Sequence, residues 1–387
     1  MLRHLPGGGP LLIEATCNQV NQFGGYTGMT PGSFRERVHA VARNTGFPLD
    51  RILLGGDHLG PFPWQHLPAE QAMQHACEMV RHFVREGYGK IHLDASLPCA
   101  GDPDPLPEDR IAERAARLCA AAESVPVPTP PVYIIGTEVP RPGGALDEME
   151  LAVTSPEAAE ATLALHRRAF ASAGLASAWP RVIALVVQPG VEFSHDRVLD
   201  YQPARAARLT AQLARHPGLI YEAHSTDYQR PEALAALVQD GFAILKVGPG
   251  LTYAMRQALF ALAAIEKELF PTAQQSQLPQ WVEQAMLSHP EQWQKHYTGT
   301  PEEQRLLRVH SYSDRIRYYW NSPSVQQAVD LLLRNLRQRN IPETLLSDYL
   351  PAQYRKLRAG QLAAQPLPLL LDAIGEALDP YLAATQG

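Results

Sequence analysis

No stretch of the chain approaches the 18 or so consecutive apolar residues that mark a membrane-crossing helix. The opening Met1-Leu2-Arg3-His4-Leu5-Pro6-Gly7-Gly8-Gly9 lacks the apolar centre of a signal peptide. Cysteine is scarce: Cys17, Cys77, Cys99 and Cys119 are scattered, and no C-x-x-C occurs. A reduced, cytoplasmic protein is the reading that follows. No basic run is present, and the formal net charge is -6, so neither nucleic acid nor an anionic membrane is an expected partner. No G-x-G-x-x-G follows the first apolar run, which counts against a dinucleotide cofactor. No Walker-type lysine loop is visible, which counts against a nucleotide-dependent kinase. What the chain does have is 387 residues, 45% of them hydrophobic, enough for a large core. Its 34 prolines suit many short ordered connections.

Seven short runs rich in Ile, Leu and Val read as buried parallel strands: Leu11–Ala15, Arg51–Leu54, Lys90–Leu93, Val132–Ile135, Arg181–Val187, Leu219–Tyr221 and Phe242–Val247. Helical patterns lie between them. Thr30-Pro31 supplies a capping hydroxyl and a proline for a helix that Gly46 closes. Met73, Ala76, Cys77, Val80, Phe83 and Val84 form the inner stripe of a helix from about Pro68 to Glu86, so Cys77 is expected in the core. His66, His75 and His82 are expected on solvated or packing faces of that segment. Repeated strand–helix units predict an α/β fold, a TIM-type (β/α)8 barrel whose first βα unit is lacking here. Beyond about Glu266 the alternation stops. The chain therefore divides into a barrel over residues 1–265 and a helical extension over 266–387, with helices near Ser324–Arg337 and Leu367–Leu378.

Barrel chemistry sits at the C-terminal ends of strands, and nearly every run here turns from apolar to polar at that end. The first ends in Glu14 through Gln22, the second in Gly55-Gly56-Asp57-His58, the third in His92-Leu93-Asp94-Ala95-Ser96. The others end in Gly136-Thr137-Glu138, Gln188-Pro189-Gly190, Glu222-Ala223-His224-Ser225-Thr226-Asp227 and Lys246-Val247-Gly248-Pro249-Gly250-Leu251-Thr252. In the second, the glycines leave room for a ligand, and Asp57 is placed to move a proton. His58, Glu138 and His224 make a three-ligand set for a divalent metal (zinc first, with manganese, nickel or magnesium as alternatives), or else the histidines serve as hydrogen-bond donors. Asn18, Gln19, Asp94, Gln188 and Ser225 are candidate substrate contacts. Gly248, Gly250 and Thr252 read as a phosphate seat, or as a plain turn into a helix. Lys246 is either a Schiff-base amine or, on the favoured reading, the partner of Glu14 or Glu222. In His310-Ser311-Tyr312-Ser313-Asp314-Arg315-Ile316-Arg317-Tyr318-Tyr319-Trp320, Arg315 and Arg317 reach for a phosphate, or the segment is an aromatic clamp on the barrel.

These motifs, together with Asn18-Gln19-Val20-Asn21-Gln22-Phe23-Gly24-Gly25-Tyr26-Thr27-Gly28-Met29-Thr30 and Cys99-Ala100-Gly101-Asp102-Pro103, closely resemble one family over nearly the whole chain. It is the non-catalytic ("Z") subunit family of class II tagatose-bisphosphate aldolase, some of whose members are regarded as ketohexose-phosphate 4-epimerases. Family members usually carry one more βα unit ahead of the first strand seen here. The resemblance implies either support of a catalytic class II aldolase chain or a metal-dependent 4-epimerase acting on tagatose 6-phosphate and fructose 6-phosphate, or on the free ketohexoses. A homo-oligomer is also implied. A more distant likeness to the catalytic class II aldolases matches Asp57-His58, Glu138 through Gly144, and His224. One aldolase zinc histidine has no counterpart, Gln188 lying nearest its place. Under the epimerase reading Asp57, or else Asp227, takes the C4 hydroxyl proton, and Glu14 or Glu222 is the second acid/base.

Overall fold

The computed structural model describes residues 9–137 and 151–385. Nine strands occur among them: β1 (Leu11–Thr16), β2 (Ile52–Leu59), β3 (Lys90–Leu93), β4 (Val132–Ile135), β5 (Val182–Val186), β6 (Glu192–Phe193), β7 (Val198–Leu199), β8 (Ile220–Ala223) and β9 (Phe242–Leu245). Seven form one sheet in the order β1-β2-β3-β4-β5-β8-β9, every pair parallel. The seven runs read from the sequence correspond to these seven strands. The pair β6–β7 is a small antiparallel hairpin that the sequence reading did not contain.

A helix follows each strand of the sheet: α1 (Pro31–Thr45), α2 (Ala69–Arg85), α3 (Glu108–Glu123), α4 (Pro156–Ser172), α5 (Pro203–Ala211), α6 (Pro231–Gln239) and α7 (Pro249–Leu269). The start and stop of α1 are those the sequence announces. The Thr30 hydroxyl accepts the Ser33 N–H, and Gly46 ends the helix at φ 70°. In α2 the expected stripe is buried, Cys77 included. Seven more helices come after: α8 (Leu278–Ser288), α9 (Pro301–His310), α10 (Pro323–Arg337), α11 (Glu343–Tyr349), α12 (Pro351–Arg358), α13 (Pro366–Glu376) and α14 (Asp379–Thr385). Among the described residues no helix is long and apolar enough to cross a membrane.

The sheet is strongly curled. Strands lie about 4.8 Å apart, so a flat sheet of this order would hold β1 and β9 roughly 29 Å from each other. Yet Lys246, just after β9, pairs with Glu14 of β1. Lys90 of β3 likewise reaches Glu222 of β8 at 2.6 Å, across two intervening strands. The curl gives each strand an outer face under the helices and an inner face. In β3, Ile91 and Leu93 are fully buried in the outer core with Phe83 and Ala115, while Lys90 and His92 alternate to the inside. Ile134, Ala184 and Val186 of β4 and β5 form the apolar part of the inner face. The inner face is thus apolar on β4 and β5 and charged on β1, β3 and β8.

Two large cores result. The first joins the sheet to α2, α3, α4 and α6, and includes Ala384 of α14. The second is built from α7, α8, α10, α11 and α13 around Leu259, Leu262, Met286, Leu332 and Leu369. The helix α7 therefore continues the last strand and belongs to the second core. Phe83 is fully buried and stacks edge-on with Tyr88 at 4.6 Å. Phe83→Ala is expected to lower the unfolding free energy by roughly 3–5 kcal/mol. Leu306→Ala, at a residue 55% exposed on α9, is expected to change it by less than about 0.5 kcal/mol; urea denaturation of both variants checks the contrast.

Candidate metal centre and its surroundings

The strand β2 ends in an abrupt turn. His58 takes φ 48°, in the left-handed region that side chains with a Cβ rarely enter. Such a residue costs of order 1–3 kcal/mol. The glycines of this motif make room for protein. A Cβ on Gly55 would stand 2.5 Å from the Glu14 carboxylate, and one on Gly56 would run into the Leu59 and Phe83 side chains. The expected ligand space at these glycines is therefore filled by the chain itself.

Three imidazoles meet where β2, β3 and β8 end. The ring centroids of His58, His92 and His224 lie 4.9 to 5.5 Å from one another. With Asp57, each residue offers an atom to a group spanning no more than 4.8 Å, and all four are buried. Carboxylates orient the rings from behind. His58 Nδ1 lies 2.7 Å from Asp94 Oδ2, which Ser96 in turn holds through a 2.6 Å bond to Oδ1. His224 Nε2 lies 2.9 Å from Glu222 Oε1. His92 Nδ1 lies 3.1 Å from Asp57 Oδ1 and 3.2 Å from the His58 amide nitrogen. The Asp57 carboxylate can only accept and the His58 amide can only donate, so the two contacts at Nδ1 favour opposite tautomers of the ring. Protonated at Nδ1 toward Asp57, the ring would present a lone pair from Nε2, which is buried without a hydrogen-bond partner. A ring nitrogen backed by a carboxylate, with its other nitrogen bare, is the arrangement of a metal-ligating histidine.

Beneath the imidazoles lies a buried ionic lattice. Lys90 bridges Glu14 at 2.8 Å and Glu222 at 2.6 Å. Lys246 bridges Glu14 and Asp57, the latter at 2.9 Å. Burial opposes ionisation of Asp57, but the Lys246 and His58 charges hold its carboxyl well below the usual range. Glu222 is likewise held low, by Lys90 and Lys246 against the cost of burial. Burial lowers His224 to about 4, so its ring is neutral at pH 7. Burial also disfavours a charged His58, yet Asp57 and Asp94 outweigh it and raise its pKa. With every imidazole neutral, as a metal-ligating set requires, Glu14, Asp57, Asp94 and Glu222 against two lysines leave two negative charges, which a divalent cation would neutralise. The residues present fit such an ion.

The other expected site residues fall in several places. Glu138 lies outside the described residues. Gln188 folds its carbonyl oxygen onto the Gly190 and Val191 amides, and Gln19 accepts from the Thr16 amide. Asn18 is half-buried beside it, and Ser225 stands at φ 53°. The amides of Gly248 and Gly250 donate to Asp227 Oδ1 at 2.9 and 2.7 Å, and the Thr252 hydroxyl is bound to Asp314 and to the Pro249 carbonyl. Arg315 donates to the Gln292 carbonyl at 2.6 Å, whereas Arg317 lies near Asp227 and Tyr26 and donates to the Tyr318 hydroxyl at 2.8 Å. The segment bearing both arginines makes aromatic contacts: Tyr312 stacks on Tyr228 at 4.4 Å, and Tyr318 meets Tyr26 at 4.9 Å. A cavity of about 620 Å³, lined by Ser96, Leu97, Asp104, Leu106 and Thr137, opens beside the Asp94 side. Another of similar size, near Pro203, Leu213 and Gly241, lies at the N-terminal end of β9 and touches none of these residues.

His92 is the imidazole of the cluster that the sequence reading did not select as a ligand, and Asp57 was selected as an acid/base rather than a ligand. The signal for His92 was the alternation in Lys90-Ile91-His92-Leu93, which puts it on the face that Lys90 shares with Glu222. Two predictions follow from these charges. Lys246→Met removes the counter-charge of Glu14 and Asp57 and is expected to destabilise by about 3–5 kcal/mol in urea denaturation. Glu192 of β6 is buried, and burial pushes its carboxyl up to about 7. The folded chain then holds this proton more tightly than the unfolded one, so its contribution is complete below about pH 4.5 and is lost as pH rises through 7. Melting curves from pH 5 to 8 are expected to show that loss, at most about 3 kcal/mol, and Glu192→Gln to flatten it.

The chain is similar to several proteins of known structure. A solved structure described as a probable tagatose 6-phosphate kinase from Sinorhizobium meliloti 1021 is 52% identical, covers 97% of this chain and 93% of its own, and superposes with a TM-score of 0.91. The fructuronate-tagaturonate epimerase UxaE from Cohnella laeviribosi is 11% identical over 96% of this chain and 76% of its own, with a TM-score of 0.48. A fructose-bisphosphate aldolase from Campylobacter jejuni is 12% identical over 88% and 83%, with a TM-score of 0.39. The family model for the D-tagatose-1,6-bisphosphate aldolase subunit GatZ/KbaZ-like proteins matches residues 1–386, and the chain belongs to that family.

Proposed function

We propose that the chain is a metal-dependent 4-epimerase that interconverts tagatose 6-phosphate and fructose 6-phosphate, or the free ketohexoses. The observation that carries this reading is the convergence of three imidazoles on one point, with His92 Nε2 buried and bare, above a lattice in which carboxylates outnumber lysines. Part of the same reading is a TIM-type barrel over residues 1–265 with the pocket at the C-terminal ends of its strands, and a helical extension over 266–387. A cytoplasmic setting and a homo-oligomer belong to it as well.

His58, His92 and His224 would hold the divalent ion, with Glu138 as a further ligand. Zinc fits an imidazole-rich set best; manganese, nickel and magnesium are the alternatives. Bound there, the ion supplies Lewis-acid polarisation of the ketose carbonyl. The chain does the proton work. Asp57, kept ionised by Lys246, takes the C4 hydroxyl proton. The O–H electron pair becomes the C4 carbonyl bond, the C3–C4 bond breaks, and its pair passes to C3 and the C2 oxygen as an enediolate. The aldehyde turns over, C3 attacks its other face, and Asp57 returns the proton to the oxygen on the inverted C4. Glu14 or Glu222 serves as the second acid/base. Asp227, engaged by two glycine amides, has the weaker claim. Asn18, Gln19, Gln188 and Ser225 would contact the substrate, Asp94 would act through His58, which it orients, and Arg317 lies near Asp227.

The family description favours a second reading, in which the chain is a non-catalytic subunit that stabilises a class II tagatose-1,6-bisphosphate aldolase. The kinase name belongs to the Sinorhizobium meliloti protein, and this chain shows no phosphate-binding lysine loop of the Walker type. The deciding assay uses the purified chain alone with fructose 6-phosphate, before and after chelation, with Zn²⁺, Mn²⁺, Ni²⁺ or Mg²⁺ restored. Metal-dependent appearance of tagatose 6-phosphate is expected. It should fall by at least ~100-fold in His224→Ala and His92→Ala, and by about 10²–10⁴-fold in Asp57→Asn. Absence of turnover with every metal, together with copurification with a smaller aldolase chain, would overturn the epimerase in favour of the subunit.

A further inference from the structure

At the end of a parallel curled sheet, the amides that open the helix after the last strand form a ready seat for phosphate. In this chain the Gly248 and Gly250 amides and the Thr252 hydroxyl of that seat are already used. Gly248 and Gly250 both direct their N–H groups to one oxygen of Asp227, at 2.9 and 2.7 Å. The Thr252 hydroxyl is bound to Asp314 and the Pro249 carbonyl. Asp227 is 2% exposed, and a Cβ on Gly250 would stand 3.0 Å from its Oδ1, so the carboxylate sits against the bare helix opening.

The loop that carries Asp227 is tied down from two directions. The Thr226 hydroxyl donates to the Lys246 carbonyl at 2.7 Å, and the Tyr381 hydroxyl of α14 donates to the Thr226 carbonyl at 2.7 Å. A phosphate could reach the two amides only by displacing a buried carboxylate and remaining beside it. Like charges so close in a low-dielectric site repel strongly. A hydroxyl meets no such bar, because it can donate to the carboxylate that a phosphate would have to expel.

We propose that Asp227 is a built-in anion that closes the α7 seat to phosphate, and so determines which end of the substrate is phosphorylated. This rests on the ketohexose reading above and narrows it. The sugar carbon lodged at α7 bears a free hydroxyl, and the substrate is a ketose with one phosphate at most, at its other end. A 1,6-bisphosphate is refused.

The test observes the seat directly. In the full chain labelled with ¹⁵N-glycine, the Gly248 and Gly250 amide resonances are followed as orthophosphate is added, for the wild type and for Asp227→Asn. The expected result is wild-type resonances unmoved through millimolar phosphate, and at least ~10-fold tighter phosphate binding at these amides in the variant. Equal affinity in the two proteins, whether tight or absent, overturns the proposal. Asp227→Gly, which empties the seat, repeats the comparison if the asparagine protein is poorly folded. Competition between fructose 6-phosphate and fructose 1,6-bisphosphate then reads the substrate preference, expected to favour the monophosphate by at least ~10-fold in the wild type. Because the amide readout needs no turnover, an inactive chain would count against the epimerase without touching the role of Asp227.

Discussion

The pairing of Lys90 and Lys246 with Glu14, Glu222 and Asp57 is the constraint from which the rest of the structure follows. These residues come from β1, β2, β3, β8 and the end of β9. Charged groups survive in a protein interior only with partners close by. Here the partners stand on strands that a flat sheet would hold far apart, so meeting that requirement and curling the sheet are one event. The lattice also explains why the inner face is divided. Where β4 and β5 face inward they bring Ile134, Ala184 and Val186, which close off the side of the pocket that the ions leave.

On this floor the imidazoles stand in a fixed order. Each has a carboxylate behind it, Asp94 for His58, Asp57 for His92 and Glu222 for His224. Two of these three carboxylates also belong to the lysine lattice. The orientation of the rings and the charge of the floor are therefore not independent, and a change at Glu222 reaches His224 and Lys90 together. The turned backbone at His58 and Ser225 falls in the same region, where strain is held by the surrounding contacts.

Much of this was legible from the residues. The seven strands read as seven apolar runs because both faces of each are covered, and Asp57, His58 and His224 stood out because polarity switches on at the same end of each run. His92 was harder. It sits inside a four-residue strand, and its face is set by a pleat that only the lysine two residues earlier betrays. The hairpin of β6 and β7 has two residues per strand, too few for any periodicity. The glycines of the second strand end, taken as ligand space, are filled by the side chains of Glu14, Leu59 and Phe83. The α7 turn carries the composition of an anion seat, and a carboxyl group of the chain itself does sit there. It is Asp227, on the preceding loop, and no local pattern announces whether such a seat is filled from within or from solution.

The contact between α14 and the sheet domain has a consequence for how the molecule is made. Ala384 completes the first core and Tyr381 pins the loop that carries His224 and Asp227, although both residues are synthesised after the entire second core. Domains tend to fold in the order in which they leave the ribosome. Here the first unit to emerge is the last to be finished, and its pocket waits, with its polar floor assembled but one loop unanchored, until the helices that follow have been made and folded past it.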